Sequence, residues 1–373
     1  MKKLGFGLMR LPVTDPKDQK SIDMPRMCQM VDTFLERGFT YFDTAYMYHD
    51  HMSEIATRGA LVKRHPRGSF TLTTKLPLMD IKEQGEQERI FAEQMEKCGV
   101  EYFDYYLLHN INELSYETVK KFDSFAFVSR LKEEGKIKHI GFSFHGKADL
   151  LETVLTEHPE VELVQLQINY LDWDNETVQS RLCHEVAVKH GKKVAVMEPV
   201  KGGALANPPA EAENLLKTAN PDVSLASWAI RFTAGLENVM VVLSGMSNME
   251  QLLDNTGYMA APEPVTARER ELLYQAADII NNYTAVACTA CRYCVEGCPT
   301  EIDIPELFGL YNRKKKAELL RKWGDKSKEE YAAFTETHAK ASACVRCGQC
   351  ETACPQHLEI VSLLKDVAEV FEA

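Results

Sequence analysis

The 373-residue sequence has no apolar run approaching the roughly eighteen residues that a membrane-spanning helix needs, so no such span is expected. An export signal is not expected either: the apolar stretch after Met1, Lys2 and Lys3 is broken by Arg10 and Pro12 before it reaches useful length. Positive charge is in deficit, with 43 Lys and Arg against 55 Asp and Glu and a formal net charge of -12. That balance argues against a chain built to neutralise phosphates and excludes nucleic acid as the expected partner. Small molecules or proteins are expected instead, in a soluble cytoplasmic protein. Low-complexity segments are absent, and no G-x-G-x-x-G opens the first strand-helix unit.

What is present suits a large core. Hydrophobic residues make up 45% of the chain, enough for one domain of about 250 residues and a smaller second one. From residue 4 to about 245, short apolar or β-branched runs alternate with helix-like segments: "LGFGLM", "TYFDTA", "SFTLTTK", "FDYYLLH", "IKHIGFS", "LVQLQIN", "KVAVMEP" and "NVMVVLSG". Strands separated by amphipathic helices imply right-handed crossovers and a parallel sheet, and eight such units imply closure. The expected fold class is α/β, a (β/α)8 barrel followed by a small, mostly helical domain; a doubly wound open sheet is the alternative. The expected boundaries are a barrel over 1–260, a linker and helix over 261–285 beginning with "APEPVT", and a cysteine-bearing domain over 286–373.

In such a barrel the chemistry belongs at the C-terminal ends of the strands. Those ends carry Asp43, Lys75, His109, Ser143, Gln167, Glu198 and Ser244, with Tyr48 in the loop after the second strand. A carbonyl reductase needs an acid for the oxygen as hydride reaches carbon, and a tyrosine with an ordinary pKa near 10 is too weak for that. The Lys75 ammonium favours the phenolate of Tyr48, Asp43 keeps Lys75 charged, and a neutral His109 orients the substrate oxygen. The competing account makes the Asp-Lys pair structural and leaves Tyr48 and His109 satisfying backbone groups. Four titratable groups in register on neighbouring strands favour a site.

"GFTYFDTAYMY", "TTKLP", "YYLLHN", "IGFSFHG" and "MEPVKGG", in this order and spacing, resemble the aldo-keto reductases across residues 1–260. The resemblance implies proton-coupled hydride transfer from NADPH by the tetrad Asp43, Tyr48, Lys75 and His109. It implies that Ser143 and Gln167 hold the nicotinamide carboxamide, with Gln165 competing for the second role. It also makes "SGMSNMEQLLDN" the adenosine-phosphate loop and its helix, so that Ser244, Gly245, Ser247, Asn248, Gln251 and Asn255 become cofactor-binding candidates. Three departures stand out. Met197 occupies the place of the aromatic that stacks on nicotinamide. Gly245 and Gln251 stand where NADP-binding members carry Lys and Arg, which opens the choice between NADP and NAD. The chain starts at its first barrel strand, without the hairpin that usually plugs the barrel floor. His49, His51, His145 and Trp173 are weaker substrate-contact candidates with surface or packing roles as alternatives, and Lys201, Gly202 and Gly203 suit either a pyrophosphate approach or a plain loop.

Eight of the eleven cysteines lie in two groups; Cys28, Cys98 and Cys183 are scattered and read as inert. Cys288, Cys291, Cys294 and Cys298 precede Pro299, and Cys344, Cys347, Cys350 and Cys354 precede Pro355, a repeat displaced by 56 positions. Crowded thiols in a reducing compartment read as metal ligands. Each group has the C-x2-C-x2-C-x3-C-P spacing and is similar to the bacterial two-cluster ferredoxins. That similarity implies two 4Fe-4S cubes with crossed ligation: Cys288, Cys291, Cys294 and Cys354 on one, and Cys344, Cys347, Cys350 and Cys298 on the other. Structural zinc is the alternative, and it usually pairs thiols two by two. The basic stretch Arg313 to Lys322 is either a solvated helix face or a dock for an acidic redox protein.

Nicotinamide delivers two electrons together whereas a cube passes one, so a flavin or a partner protein would have to stand between the halves. The expected activity is NAD(P)H-dependent interconversion of carbonyl and alcohol by an iron-sulfur oxidoreductase. The alternatives are an electron-transfer or assembly protein whose barrel binds a ligand without turnover, and a flavin-linked reductase fed by the clusters. The loops carry no signature that names a substrate.

Overall fold

The computed structural model describes residues 2–320 and 324–373. Eight parallel strands close into a barrel: β1 (Leu4–Gly7), β2 (Tyr41–Asp43), β3 (Thr71–Pro77), β4 (Phe103–Ile111), β5 (Ile137–Phe144), β6 (Leu163–Gln167), β7 (Lys193–Met197) and β8 (Val239–Ser244). All eight expected strands form. Near-continuous apolar runs such as "FDYYLLHNI", buried along its whole length, suit a sheet covered by helices outside and by its own side chains inside. Closure is made by β1 against β8, with Phe6 level with Ser244.

Side chains alternate across a strand, so one face of each strand points to the barrel axis. Tyr41, Tyr105, Leu107, Leu163, Ala195 and Val241 pack together as one apolar cluster with Met240 against it. The Tyr41 hydroxyl accepts from Thr73 Oγ1 at 2.8 Å. Strand side chains thus fill this level of the barrel interior. The filling is tight: a Cβ on Gly141 would lie 2.5 Å from Leu107 Cδ2 and 2.6 Å from the Leu163 carbonyl oxygen, so only glycine fits there. Two residues further along each strand the inward positions turn polar, at Asp43, Lys75, His109, Ser143 and Gln165.

The chain divides into two compact units, and the division differs from the expected boundaries. The barrel unit comprises Met1–Pro199 and Ala226–Thr266; the second comprises Val200–Leu225 and Ala267–Ala373. The segment after β7 belongs with the cysteines because its helix Ala210–Ala219 packs on the helix Ala267–Tyr283, where Tyr283 also donates to Glu211 at 3.3 Å. The stretch expected as linker and helix is accordingly helical from Ala267 onward and part of the second unit.

That second unit is built on helices around a small core that includes Val286, Ile302, Phe308, Leu310, Ile360 and Leu364, against which the cysteine loops pack. Asn312 closes the entry to the first motif by imitating a strand neighbour, accepting from Val286 N and donating to Val286 O, each at 2.8 Å. The helix Ile304–Leu319 carries most of the basic stretch, and three of its four cations are paired: Arg313 with Glu306 and Glu330, Lys314 with Glu318 and Asp325, Lys315 with Glu318. Pairing of this extent suits the solvated helix face. Arg321 and Lys322 lie outside the described residues.

Candidate active site and cluster centre

Asp43, Lys75 and Tyr48 form one hydrogen-bonded group, and His109 stands against the Tyr48 ring. Lys75, 1% exposed, spends its three N–H donors on Asp43 Oδ1 at 2.6 Å, the Thr44 carbonyl at 2.8 Å and the Tyr48 hydroxyl at 3.3 Å. Burial pushes the Asp43 carboxyl up and the Lys75 amine down, while each partner pulls the other back towards its charged form. With three acceptors on Nζ, the ammonium is the form that the geometry supports. Burial, and then the nearby Lys75 charge, hold His109 well below the ordinary imidazole range, so it is neutral. Its ring stands edge-on to Tyr48, with centroids 6.1 Å apart.

Local backbone irregularities aim these groups. The β4–β5 register shifts between Leu108 and Ile111, and Asn110 there takes a φ of 64°. Such a bulge re-aims neighbouring side chains. The Asn110 N–H donates to Ser143 Oγ at 2.8 Å. Tyr48 precedes three left-handed residues, His49, Asp50 and His51. His49 pins this loop: its Nε2 accepts from Leu11 N at 3.0 Å and its Nδ1 donates to the Gln19 carbonyl at 2.9 Å. Both ring nitrogens therefore serve loop structure. Trp173 is likewise a packing residue, 8% exposed and edge-on to Phe232. His51 meets Tyr46 edge-on, and the His145 amide donates to the Ile111 carbonyl at 2.9 Å.

The two glutamines separate by register. Gln165 is level with Ser143, and Gln167 is level with Met197. Gln167 Nε2 is committed to Asp172 Oδ2 at 2.9 Å. Gln165 lies beside Asp43 and lowers its pKa, and Gln165 Oε1 and Asp43 Oδ2 are both buried without a hydrogen-bond partner. Buried polar atoms left open in this way suit a ligand that supplies the missing partner.

At the β8 end, Asn248 caps the helix Met249–Tyr258 by accepting from Gln251 N at 2.9 Å, and Gln251 Oε1 accepts from Ser247 N at 2.7 Å. This reciprocal cap leaves a helix N-terminus suited to phosphate. Ser244 Oγ accepts from Asn255 Nδ2 at 2.8 Å. Sequence reasoning missed Arg10. Ser247 Oγ donates to the Arg10 carbonyl at 2.9 Å, and Arg10 Cβ lies 3.3 Å from where a Cβ on Gly245 would stand. A cation from the β1 end thus reaches the place where Lys and Arg were lacking. No local motif announces this, because 235 residues separate the two positions in the chain. Gly202 is not a free glycine loop: a Cβ there would sit 2.6 Å from the Thr289 carbonyl oxygen inside the first cysteine motif.

A second missed feature lies behind Lys75. Glu54 is fully buried; its Oε1 accepts from Thr74 Oγ1 at 2.6 Å and from Gln94 Nε2 at 2.8 Å. Gln94 Nε2 also reaches the Lys75 carbonyl at 2.9 Å, and Gln94 Oε1 accepts from Tyr106 at 2.6 Å. Burial raises the Glu54 carboxyl to about 7 against its hydrogen bonds from Thr74 and Gln94. A carboxyl raised in the fold favours the native state below its unfolded pKa near 4.5, and that contribution is lost as pH rises through about 7. Over the roughly 2.5-unit difference this amounts to about 3 kcal/mol. Wild-type protein should therefore lose thermal stability as pH rises from about 4.5 to about 7, and Glu54→Gln should flatten that dependence. Equal pH slopes in melting curves of the two proteins would contradict this role for Glu54.

The cysteine motifs are conformational copies. Left-handed φ values recur at Ala290 and Arg346, at Arg292 and Gly348, and at Glu301 and His357, each pair displaced by the same 56 positions. These turns wrap the thiols inward. Cys294 is pushed up by burial and then by Cys291, Cys288 and Cys354, which brings the fourth cysteine of the second motif into the first group. Cys298, Cys344, Cys347 and Cys350 line one pocket with Ile302, Ile304 and Leu364. Among the described residues, no three His, Cys, Asp or Glu side chains could hold a single metal ion. Three close thiols joined by a fourth from the other motif fit a cube of irons better than one zinc. Amide donors reach the sulfurs, from Ala290 to Cys288 and from Ile302 to Cys298, each at 3.4 Å.

Comparison with known proteins agrees with this geometry. The profile of the Aldo/keto reductase family matches residues 3–269. The chain belongs to that family. A 4Fe-4S dicluster domain matches residues 287–358, so this aldo/keto reductase carries an iron-sulfur module fused behind its barrel. It is 28% identical over 243 residues to a probable aldo-keto reductase 1 of Glycine max, covering 59% of this chain and 66% of that protein. An aldo-keto reductase from Bacillus halodurans in its holo form superposes with a TM-score of 0.58 at 24% identity, covering 74% of this chain and 91% of the other. One from Klebsiella pneumoniae, solved with NADP and acetate, gives 0.56 at 16% identity over 73% and 90%. Among the described residues, no helix of this reductase is long and apolar enough to cross a membrane.

Proposed function

We propose that the barrel reduces a small carbonyl compound, or oxidises the corresponding alcohol, with Tyr48 as general acid and base. The observation that carries this reading is the saturated Lys75. An ammonium already holding Asp43 and the Thr44 carbonyl gives its remaining proton to the Tyr48 oxygen at 3.3 Å. It therefore stabilises the phenolate left when the tyrosine protonates the substrate oxygen. Neutral His109 donates to that oxygen without competing for the proton. The nicotinamide, when bound, supplies hydride. Ser143 and Gln165 are the residues suited to its carboxamide, since Gln165 keeps a buried acceptor open while Gln167 serves Asp172. Arg10 and the capped helix N-terminus at Asn248 suit its phosphates, which supports NADP or NAD with a single cation in attendance.

In the second unit the crossed sets Cys288, Cys291, Cys294, Cys354 and Cys298, Cys344, Cys347, Cys350 would each hold one cube. Crowded, partly buried thiolates need positive charge nearby, and iron supplies it. We further propose that the two chemistries couple only through a two-electron to one-electron converter, a flavin or a partner protein.

The test is an anaerobic visible spectrum of the iron-loaded protein during addition of NADH and then NADPH, followed by a panel of aldehydes and ketones. Nicotinamide oxidation that depends on added carbonyl, with cluster absorption unbleached, is the expected result. Bleaching without carbonyl would reveal a converter inside the chain. No carbonyl-dependent oxidation by either nicotinamide would remove the reductase reading.

A further inference from the structure

The two cysteine motifs repeat each other in conformation and differ in what covers them. Thr289, in the first Cys-x-x-Cys turn, is 3% exposed, whereas its counterpart Val345 in the second is 61% exposed. Cys347 is exposed, and its counterpart Cys291 is only partly so. The difference comes from the turn Lys201–Gly203, which belongs to the same compact unit. Gly202 presses its backbone against Thr289, and Lys201, 6% exposed, donates from Nζ to Gln356 Oε1 at 3.3 Å. Gln356 follows Cys354, the crossed ligand of that same first cage, by two residues. A segment that follows Met197 by four residues in the chain thus closes over both edges of one cage and leaves Cys347 of the other exposed.

We propose that the cage of Cys298, Cys344, Cys347 and Cys350 is the port through which this reductase exchanges single electrons with a small carrier protein bearing an acidic face. Val345, Arg346 and Cys347 form its docking tip, and the turn Lys201–Gly203 seals the other cage. The proposal rests on the two-cube reading and is independent of the carbonyl chemistry. The exchange is balanced: the carrier loses one electron, the cube gains one, and no bond or proton is transferred. Electron transfer falls steeply with edge-to-edge distance, so a cage with an exposed ligand is the one an external carrier can serve. Arg346 is exposed and forms no ion pair among the described residues, which leaves its charge available to an acidic partner. One exposed valine with polar neighbours is too little apolar surface for a lasting dimer, and it suits the small interfaces of transient redox encounters.

The test uses the full chain loaded with iron and sulfide, whose content must first show two cubes. Reduced flavodoxin is the protein probe, and dithionite at high salt is the small one. Arg346→Glu should slow bimolecular reduction by flavodoxin at low salt at least tenfold and change reduction by dithionite less than twofold. An unchanged flavodoxin rate, or a change in oligomeric state with Arg346→Glu, overturns the port. The seal is read by iron release to bathophenanthroline disulfonate. Wild-type protein should release iron in two phases of equal amplitude, and Gly202→Val, which combines a close contact with a left-handed backbone, should speed the slow phase at least tenfold. Lys201→Met, a milder change, should speed it several-fold. A single phase in the wild type, or a slow phase that neither substitution moves, overturns the seal.

Discussion

Replacing Tyr48 with phenylalanine should lower kcat for carbonyl reduction by a factor of about 10² to 10⁴ and leave nicotinamide affinity within about twofold. The magnitude follows from what is removed. The ring remains in its slot, edge-on to His109 and under the Lys75 ammonium at 4.9 Å, so packing changes little. The hydroxyl that donates the proton is lost, together with the oxygen on which Lys75 could stabilise negative charge. A factor of 10² to 10⁴ corresponds to about 3 to 5 kcal/mol of transition-state stabilisation. Steady-state rates with a good carbonyl substrate, alongside fluorescence titration with NADPH, measure both quantities. A phenylalanine variant within tenfold of wild type would mean that another group protonates the oxygen; an equal loss in nicotinamide affinity would mean a binding role for the tyrosine. Lys75→Met gives the companion result. Without the ammonium, the Tyr48 oxygen loses the positive charge 3.3 Å away that would stabilise its phenolate, so kcat should fall as well.

The barrel was legible because its strands announce themselves one at a time. A run such as "KVAVM", bounded by a basic turn and by Glu-Pro, is a strand whatever lies elsewhere in the chain, and eight of them in sequence leave few topologies. The placement of Asp43, Lys75 and His109 was legible for the same reason: each sits at or near a strand end, where period-two alternation aims it inward, and Tyr48 follows in the next loop. What was missed depends on distances across the fold. Gln165 and Gln167 occupy the same face of one strand, and only the register against Ser143 and the engagement of Gln167 by Asp172 separate them. Arg10 reaches Gly245 only because β1 closes the barrel against β8. Glu54 stands in "MSEIA", where a single acid on a short helix looks like a surface residue; its burial comes from Thr74 and Gln94 on other elements. Gly202 read as either a pyrophosphate approach or a plain loop on its neighbourhood in the chain, and its backbone lies against Thr289, eighty-seven positions away.

Crossed ligation makes the largest prediction for the second unit, and pairs of substitutions test it better than single ones. If Cys354 completes the cage of Cys288, Cys291 and Cys294, then Cys288→Ser and Cys354→Ser damage the same cube although 66 positions separate them. The double variant should then lose no more iron than either single one, retaining about four irons per chain of about eight. Cys288→Ser with Cys298→Ser, two changes within one motif, should instead strip both cubes and leave close to no iron. Uncrossed ligation predicts the reverse for both pairs, so iron and sulfide content alone decides between them. Non-additivity of this kind is the mark of residues acting on one unit. The cost should extend to stability. Cys294 and Cys350 are core residues of the second unit, with Cys288, Cys298, Cys344 and Cys354 packed against that core, so a lost cube removes a wall of the core itself. Metal affinity that exists only in the folded state is folding free energy. The double variant lacking both cubes should therefore release the second unit to limited proteolysis, while the barrel, whose apolar layer and tetrad draw on none of these cysteines, keeps its cooperative melt.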